Sequence, residues 1–220
     1  MKIELLSINV SPPKTINYQG KSITSGIFKM PVNGTVKLTK LNLEGDGQAD
    51  LRVHGGVDKA VYVYPFEHYD YWKKELNRDD FGYGQFGENF TILGALENQI
   101  HIGDIFKIGS AVLEVTQPRT PCYKLGIKMR LPTFPGKFLE SGRTGFYMKV
   151  LDEGEIKAKE SFESIHINDK GLTIRDLWHL VFFDTENTED AIRALKLPSL
   201  GPEWRQPLEQ RLIKAGIISR

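Results

Sequence analysis

Short apolar segments, separated by glycine and proline, fill roughly the first three quarters of the chain and constrain its fold most strongly. Ile3–Val10 alternates like a strand and is stopped by two prolines. Similar segments follow at 21–28, 34–41, 60–64, 90–92, 99–102, 104–108, 111–117, 145–150 and 155–161. Only 65–76, which places apolar residues at helical spacing after a proline, is typical of a helix. Many short strands with one helix predict a curled sheet or barrel, not a repeated strand–helix–strand unit.

The pattern changes near residue 165. The segments 172–182, 188–195 and 202–213 have helical spacing, and capping residues precede the first two. We therefore predict a fold that is mainly β, or α+β, with a barrel domain over 1–163 and a small three-helix domain over 164–220.

Charge and hydropathy exclude some classes of protein. With 29 basic and 28 acidic residues, the net charge is +1. Nucleic-acid affinity comes mostly from phosphate neutralisation, so a general binder of nucleic-acid duplexes is not expected, although a local basic pocket is compatible. No apolar run approaches the length of a membrane span, and the acidic, alternating start is unlike a signal peptide. The expectation is a soluble cytoplasmic protein whose oligomeric state leaves no trace in the sequence.

The single cysteine, Cys122, excludes an intramolecular disulfide and a cysteine-rich zinc site. Pro121 stiffens the backbone before it, and Arg119 and Lys124 place positive charge on either side, which favours a thiolate. The thiol is therefore a candidate nucleophile, redox centre or metal ligand. The alternative is a small buried apolar residue, the commonest fate of a lone cysteine.

The densest group of glycines and polar residues lies at 44–62. Gly55 and Gly56 let the backbone approach a ligand closely and point amides at an anion. Arg52 and Lys59 are candidates for phosphate contacts, and His54 adds an imidazole beside them. The spacing does not match the known glycine-rich nucleotide motifs. The alternative is a solvated polar turn.

A second glycine cluster, at 82–91, also precedes a strand. Glu88 is a candidate general acid or base, or else a brace for the loop through backbone amides. Asn89 has an amide suited to hydrogen-bonding the edge of a heterocycle.

Three motifs in this order resemble the signatures of MOSC domains, the molybdenum cofactor sulfurase C-terminal family. They are GDGQADLRVHGGVDKAV at 45–61, GENF at 87–90 and QPRTPC at 117–122. The helical end is similar to the three-helix appendix of the YiiM-like branch, whose members reduce N-hydroxylated compounds. The resemblance spans most of the first 160 residues and then the C-terminal helices.

The resemblance implies a MOSC-type β-barrel that holds molybdenum on the dithiolene of a molybdopterin. Cys122 matches the family cysteine and would be the protein ligand to the metal. The pterin phosphate would meet Arg52, Lys59 and Arg119, beside the Gly55–Gly56 turn. His54 would lie close to the cofactor and Asn89 near the pterin edge. His54 and Glu88 are candidate proton donors, with solvent as the alternative.

The implied activity is reduction of N–OH to N–H in hydroxylaminopurine-type bases, hydroxylamines or amidoximes. The chain has no flavin, nicotinamide or iron–sulfur motif, so a separate electron-donating reductase of the flavoprotein or iron–sulfur type is expected. Two alternatives remain open: a persulfide carrier acting through Cys122, or a module that binds or inserts the cofactor without turnover.

Overall fold

The computed structural model describes residues 2–49 and 55–219. Its strands are β1 Ile3–Val10, β2 Lys14–Tyr18, β3 Lys21–Ser25, β4 Met30–Pro31, β5 Thr35–Leu38, β6 Val61–Pro65, β7 Phe90–Leu93, β8 Ile105–Ile108, β9 Ala111–Pro118, β10 Phe146–Asp152, β11 Gly154–Lys157 and β12 Ser161–His166. Its helices are α1 Glu67–Leu76, α2 Tyr123–Met129, α3 Phe134–Ser141, α4 Ile174–Phe182, α5 Thr188–Leu195 and α6 Pro202–Lys214. Within these ranges no helix is long and apolar enough to cross a membrane.

Seven strands close into a barrel in the order β12-β8-β9-β10-β6-β7-β1, because β1 pairs with both β7 and β12. The pairings are antiparallel except for β6 with β7, which are parallel and joined through α1. A parallel pair needs such a crossover, which explains the helix among so many strands. The predicted barrel is therefore confirmed.

Strand β6 is buried on both faces and separates two apolar clusters. Its side chains alternate, so Val61 and Val63 enter the barrel interior while Tyr62 and Tyr64 point outward. The outer cluster is aromatic and also contains buried side chains of α1, α2 and α3, among them Trp72 and Phe138. The cluster supports the wall behind the candidate site.

Two helices were not predicted, α2 and α3. Both are short and carry helix-weakening residues, Gly126 in one and Pro135 with Gly136 in the other. Proline is compatible with a helix when it lies in the first turn, as Pro135 does. The predicted strand at 99–102 is wrong, because this stretch turns back and makes only a single bridge between His101 and Thr173.

The three C-terminal helices are confirmed. Thr173 caps α4 in a reciprocal capping box with Asp176, and Asn187 caps α5. Helix α4 packs against β9, and apolar side chains of the helices join the cluster that fills the barrel. Strand β12 continues to His166, so the boundary predicted after residue 163 falls within a barrel strand.

Candidate functional site

A cleft of about 650 Å³, including its open mouth, lies at the end of β9. The segments 25–29, 47–49 and 119–124 form most of its wall, which is completed by Lys59, Tyr62, Gly87, Asn89 and Tyr147. The cleft therefore collects residues from all three sequence motifs.

Cys122 lines this cleft and is half-buried. Strand β9 ends at Pro118, and the backbone then runs to the start of α2, with Cys122 in an extended conformation at φ −114°. Its carbonyl accepts the Leu125 amide at 3.0 Å, which begins the helix. The proline-containing approach thus presents the thiol on the cleft wall, next to Arg119.

Arg119 is a buried cation in the same wall, with 5% of its surface exposed. Its guanidinium lies 4.9 Å from the ring centre of Tyr62 and 5.3 Å from that of Phe138. Burial opposes the charge, but the ionisable groups of Tyr62, Tyr147 and Cys122 outweigh it and raise the pKa of Arg119. Its Nη1 has no hydrogen-bond partner within residues 2–49 and 55–219. A buried charged donor without an acceptor is costly, so the wall is suited to an anionic ligand.

The lysines of the cleft differ in how they are held. Lys29 forms a buried ion pair with Asp46, and burial lowers the pKa of Lys29 although Asp46 opposes the shift. Lys59 pairs with Glu203 at the start of α6. Lys124 donates to the Thr24 carbonyl at 2.9 Å, so its charge faces the end of β3.

Behind the wall, Lys128 ties α2 to two loops. Its ammonium donates to the Ile27 carbonyl at 2.8 Å and to the Gly84 carbonyl. Burial lowers the pKa of Lys128 to about 8, with nearby Glu88 opposing the shift. This lysine therefore joins the segment that lines the cleft to the second glycine cluster.

Glu88 does not line the cleft, and the structure favours the bracing role over acid–base catalysis. The carboxylate is fully buried and accepts hydrogen bonds from the amides of Gly84 and Phe86, both at 2.9 Å. The hydroxyls of Thr91, at 2.9 Å, and of Tyr69 also donate to it. Four donors occupy the carboxylate and hold the loop at 84–89 in place.

Asn89 lines the cleft, but its side chain is already engaged. Its Oδ1 accepts the Tyr62 amide at 3.1 Å, while its Nδ2 donates to Asp46 at 2.9 Å and to the Asn9 carbonyl at 3.3 Å. Both amide hydrogens are thus used within the protein, so a contact from Asn89 to a heterocycle edge would use the second lone pair of Oδ1 or displace one of these bonds, and it stays a prediction. Asn89 instead fixes β6 and the Lys29–Asp46 pair.

The first motif is partly described. Arg52 and His54 lie outside the described residues. Gly56 has φ 103° and ψ 162°, a conformation that favours glycine, and its carbonyl accepts the Lys59 amide at 3.1 Å in a single 3-10 turn. Gly55 and Gly56 are not part of the described wall, and the turn acts by delivering Lys59 to the cleft.

Two wall contacts were not anticipated. Tyr147 lies 5.3 Å, ring centre to ring centre, from Tyr62, and burial raises the pKa of Tyr147 to about 12, with Arg119 opposing the shift. In β10, buried side chains such as Phe146 and Met148 alternate with less buried ones, and this alternation was the sequence signal that Tyr147 lies on the opposite face of the strand. The pairing of Lys59 with Glu203 joins distant segments, and no local pattern indicates it.

Comparison with known proteins places these features in context. The family model of the MOSC domain matches residues 50–163, and the family model of the YiiM-like, 3-alpha helix domain matches residues 172–215. YflK of Bacillus subtilis is 40% identical over 204 residues, which cover 93% of this chain and 92% of YflK. A protein of Gibberella moniliformis named "Reductase" is 36% identical over 140 residues, 62% of this chain but 25% of that protein. The crystal structure of YiiM from Geobacillus stearothermophilus has a TM-score of 0.82 at 34% identity, covering 96% of this chain and 99% of that one.

Proposed function

Since this chain belongs to the MOSC domain family and carries a YiiM-like three-helix domain, we propose that it is a molybdenum-cofactor-dependent reductase of N-hydroxylated compounds. The observation that carries the proposal is the buried Arg119, whose Nη1 has no hydrogen-bond partner among the described residues, in the same cleft wall as the only cysteine of the sequence. The proposed substrates are hydroxylaminopurines, hydroxylamines and amidoximes.

The residues of the wall fit a molybdopterin. Soft thiolate sulfur suits a soft, sulfur-coordinated metal, so Cys122 would be the protein ligand. The phosphate would be held by Arg119 and Lys59, since both line the cleft and both carry positive charge. When bound, the cofactor supplies the two-electron and oxygen chemistry, which no side chain of this protein provides.

The side chains of the chain itself have three tasks. The charge of Arg119 attracts a thiolate at Cys122, and its buried position keeps that attraction strong. Tyr147, whose pKa is raised to about 12, remains protonated at neutral pH and holds a proton on the wall. The aromatic cluster behind Tyr62 and Phe138 keeps water away from the guanidinium.

The overall reaction takes two electrons and two protons per N–OH group and releases the N–H form and water. A separate reductase would supply the electrons, because the chain has no flavin, nicotinamide or iron–sulfur motif. Protons would come from solvent at the open mouth.

The test compares three proteins made in a host that synthesises molybdopterin: the wild type, Cys122→Ala and Arg119→Gln. Molybdenum and pterin are quantified, and turnover of 6-hydroxylaminopurine and benzamidoxime is measured with a reduced viologen as electron donor. We expect the wild type to contain both and to turn over, Cys122→Ala to lose turnover, and Arg119→Gln to lose pterin. Lys157→Ala, at an exposed position on β11, is the matched control.

Two results would refute the reductase function, and a third would refute the role of Cys122 in it. Bound pterin without turnover in the wild type would identify a binding or insertion module. A sulfur adduct on Cys122 in mass spectrometry, without pterin, would identify a persulfide carrier. Equal metal content and equal turnover in Cys122→Ala would remove the cysteine from the mechanism.

A further inference from the structure

A carboxylate of the helical domain reaches the edge of the cleft. Glu203, in the first turn of α6, forms an ion pair with Lys59, whose ammonium also lies 6.0 Å from the ring centre of Tyr147. The same carboxylate oxygen accepts a hydrogen bond from Gln117 Nε2 at 3.3 Å. The Glu203 carboxylate therefore contacts both Lys59 of the cleft and β9, the strand that precedes Cys122.

We propose that Glu203 is a displaceable internal counter-ion of Lys59, which an anionic ligand of the cleft replaces. Loading the cleft and anchoring the first turn of α6 then compete for one ammonium group. The proposal rests on the proposed function only for the nature of the ligand, a phosphate-bearing molecule.

The Lys59–Glu203 pair is the exchangeable pair of the wall, in contrast to Lys29–Asp46. The Asp46 side chain is 0% exposed and also accepts hydrogen bonds from the Ser11 amide and Asn89, both at 2.9 Å, so separating that pair would leave buried charge unsatisfied. The Glu203 side chain is 44% exposed, so water solvates its carboxylate once Lys59 turns away. The Lys59 side chain is 15% exposed, so the pair is half-exposed at one partner only, but an ion pair that water reaches at its carboxylate is weaker than a fully buried one, which favours the exchange.

The first turn of α6 is the part of the helical domain that senses the exchange. Gly201, just before it, lies against Gln117 so closely that an added Cβ would come within 1.8 Å of the Gln117 side-chain oxygen. Trp204 follows Glu203, is buried, and lies 5.7 Å from Trp178 of α4. Release of Glu203 therefore removes the charged attachment of this turn to the cleft wall, while Arg205 still donates to the Leu195 and Leu197 carbonyls. Since coupling between two binding events is reciprocal, loosening the turn must strengthen anion binding.

The test titrates inorganic pyrophosphate into the cofactor-free full chain by calorimetry at low ionic strength. Glu203→Gln should bind pyrophosphate about two- to fivefold tighter than the wild type, the range expected when a partly exposed ion pair no longer competes. Glu209→Gln removes the same charge from the same helix and should leave affinity unchanged. In a Lys59→Met background the Glu203→Gln effect should disappear, which separates competition for Lys59 from general repulsion.

A second measurement uses the unmutated protein and does not depend on variant folding. Hydrogen exchange of the amides at 203–206 should become faster when pyrophosphate is added. The proposal would be overturned if Glu203→Gln bound pyrophosphate as tightly as the wild type or more weakly, or if its effect persisted without Lys59. Unchanged or slower exchange, or no pyrophosphate binding by the wild type and Glu203→Gln, would overturn it as well. Tighter binding by Glu203→Gln together with absent turnover in the loaded wild type would overturn the reductase function but retain the counter-ion.

Discussion

Replacement of Glu88 separates a loop brace from a catalytic acid. The buried carboxylate accepts three hydrogen bonds at one oxygen, from Gly84, Thr91 and Tyr69, and one at the other oxygen, from Phe86. In Glu88→Gln, the amide nitrogen can face only the Phe86 amide without losing the other three bonds. The Phe86 amide then lacks its acceptor and faces the new NH2 group, and the loss of that acceptor by itself costs about 1–3 kcal/mol.

Glu88→Ala removes the acceptor of all four donors. At about 1 kcal/mol or more for each unsatisfied buried donor, the loss of unfolding free energy is at least about 4 kcal/mol. For a chain of this length 1 kcal/mol shifts Tm by about 2–4 °C, so we expect a decrease of about 2–12 °C for Glu88→Gln and at least about 8 °C for Glu88→Ala. Glu140→Gln, at an exposed position, is the control, and its free energy of unfolding should stay within about 0.5 kcal/mol of the wild-type value.

Calorimetric melting and denaturant titration measure the stability, and turnover of the loaded enzyme is measured well below each Tm. A brace predicts that the folded Glu88→Gln protein keeps turnover within a few fold. An unchanged Tm with abolished turnover would instead assign Glu88 to catalysis. A Glu88→Ala protein that melts with the wild type would refute the hydrogen-bond argument altogether.

Three further outcomes are expected. Burial opposes ionisation of Glu97, but its hydrogen bond to His68, at 2.7 Å, and the His68 charge leave the pKa of Glu97 lowered. This stabilisation is present above the unfolded pKa of glutamate, near 4.5, and is lost as pH falls through the lower folded pKa. The decrease in Tm on acidification should therefore be shallower in Glu97→Gln than in the wild type. Burial lowers the pKa of Lys128 to about 8, so the folded state binds fewer protons than the unfolded state between about pH 8 and 10.5. The free energy of unfolding, measured by urea titration, should therefore rise across that interval in the wild type and not in Lys128→Met. Phe138→Ala should lower the free energy of unfolding in denaturant titrations by about 3–5 kcal/mol, because Phe138 is fully buried. It should also lower the pterin content, because Phe138 packs beside the Arg119 guanidinium. An unchanged pterin content would separate the aromatic cluster from ligand binding.

The barrel and the C-terminal helices could be read from local patterns. Alternation with period two marks strands such as β1 and β10, and Thr173 and Asn187 mark helix starts, because backbone geometry and end capping are short-range effects. The short helices α2 and α3 escaped this reasoning, since tertiary packing of Leu125 and Phe138 outweighs the weak local propensity of segments with glycine and proline.

For the candidate site, the sequence by itself determined which residue types are available: one thiol, its flanking cations and two glycine-rich turns. Only the tertiary structure decided the role of each of these residues. It brought Cys122, Arg119 and Lys59 to one wall, used the side chains of Glu88 and Asn89 as internal braces, and linked Lys59 to Glu203. The physical reason is that periodicity and capping act over a few residues, whereas the partner of a polar side chain is set by whichever distant donor or acceptor the fold places within about 3 Å.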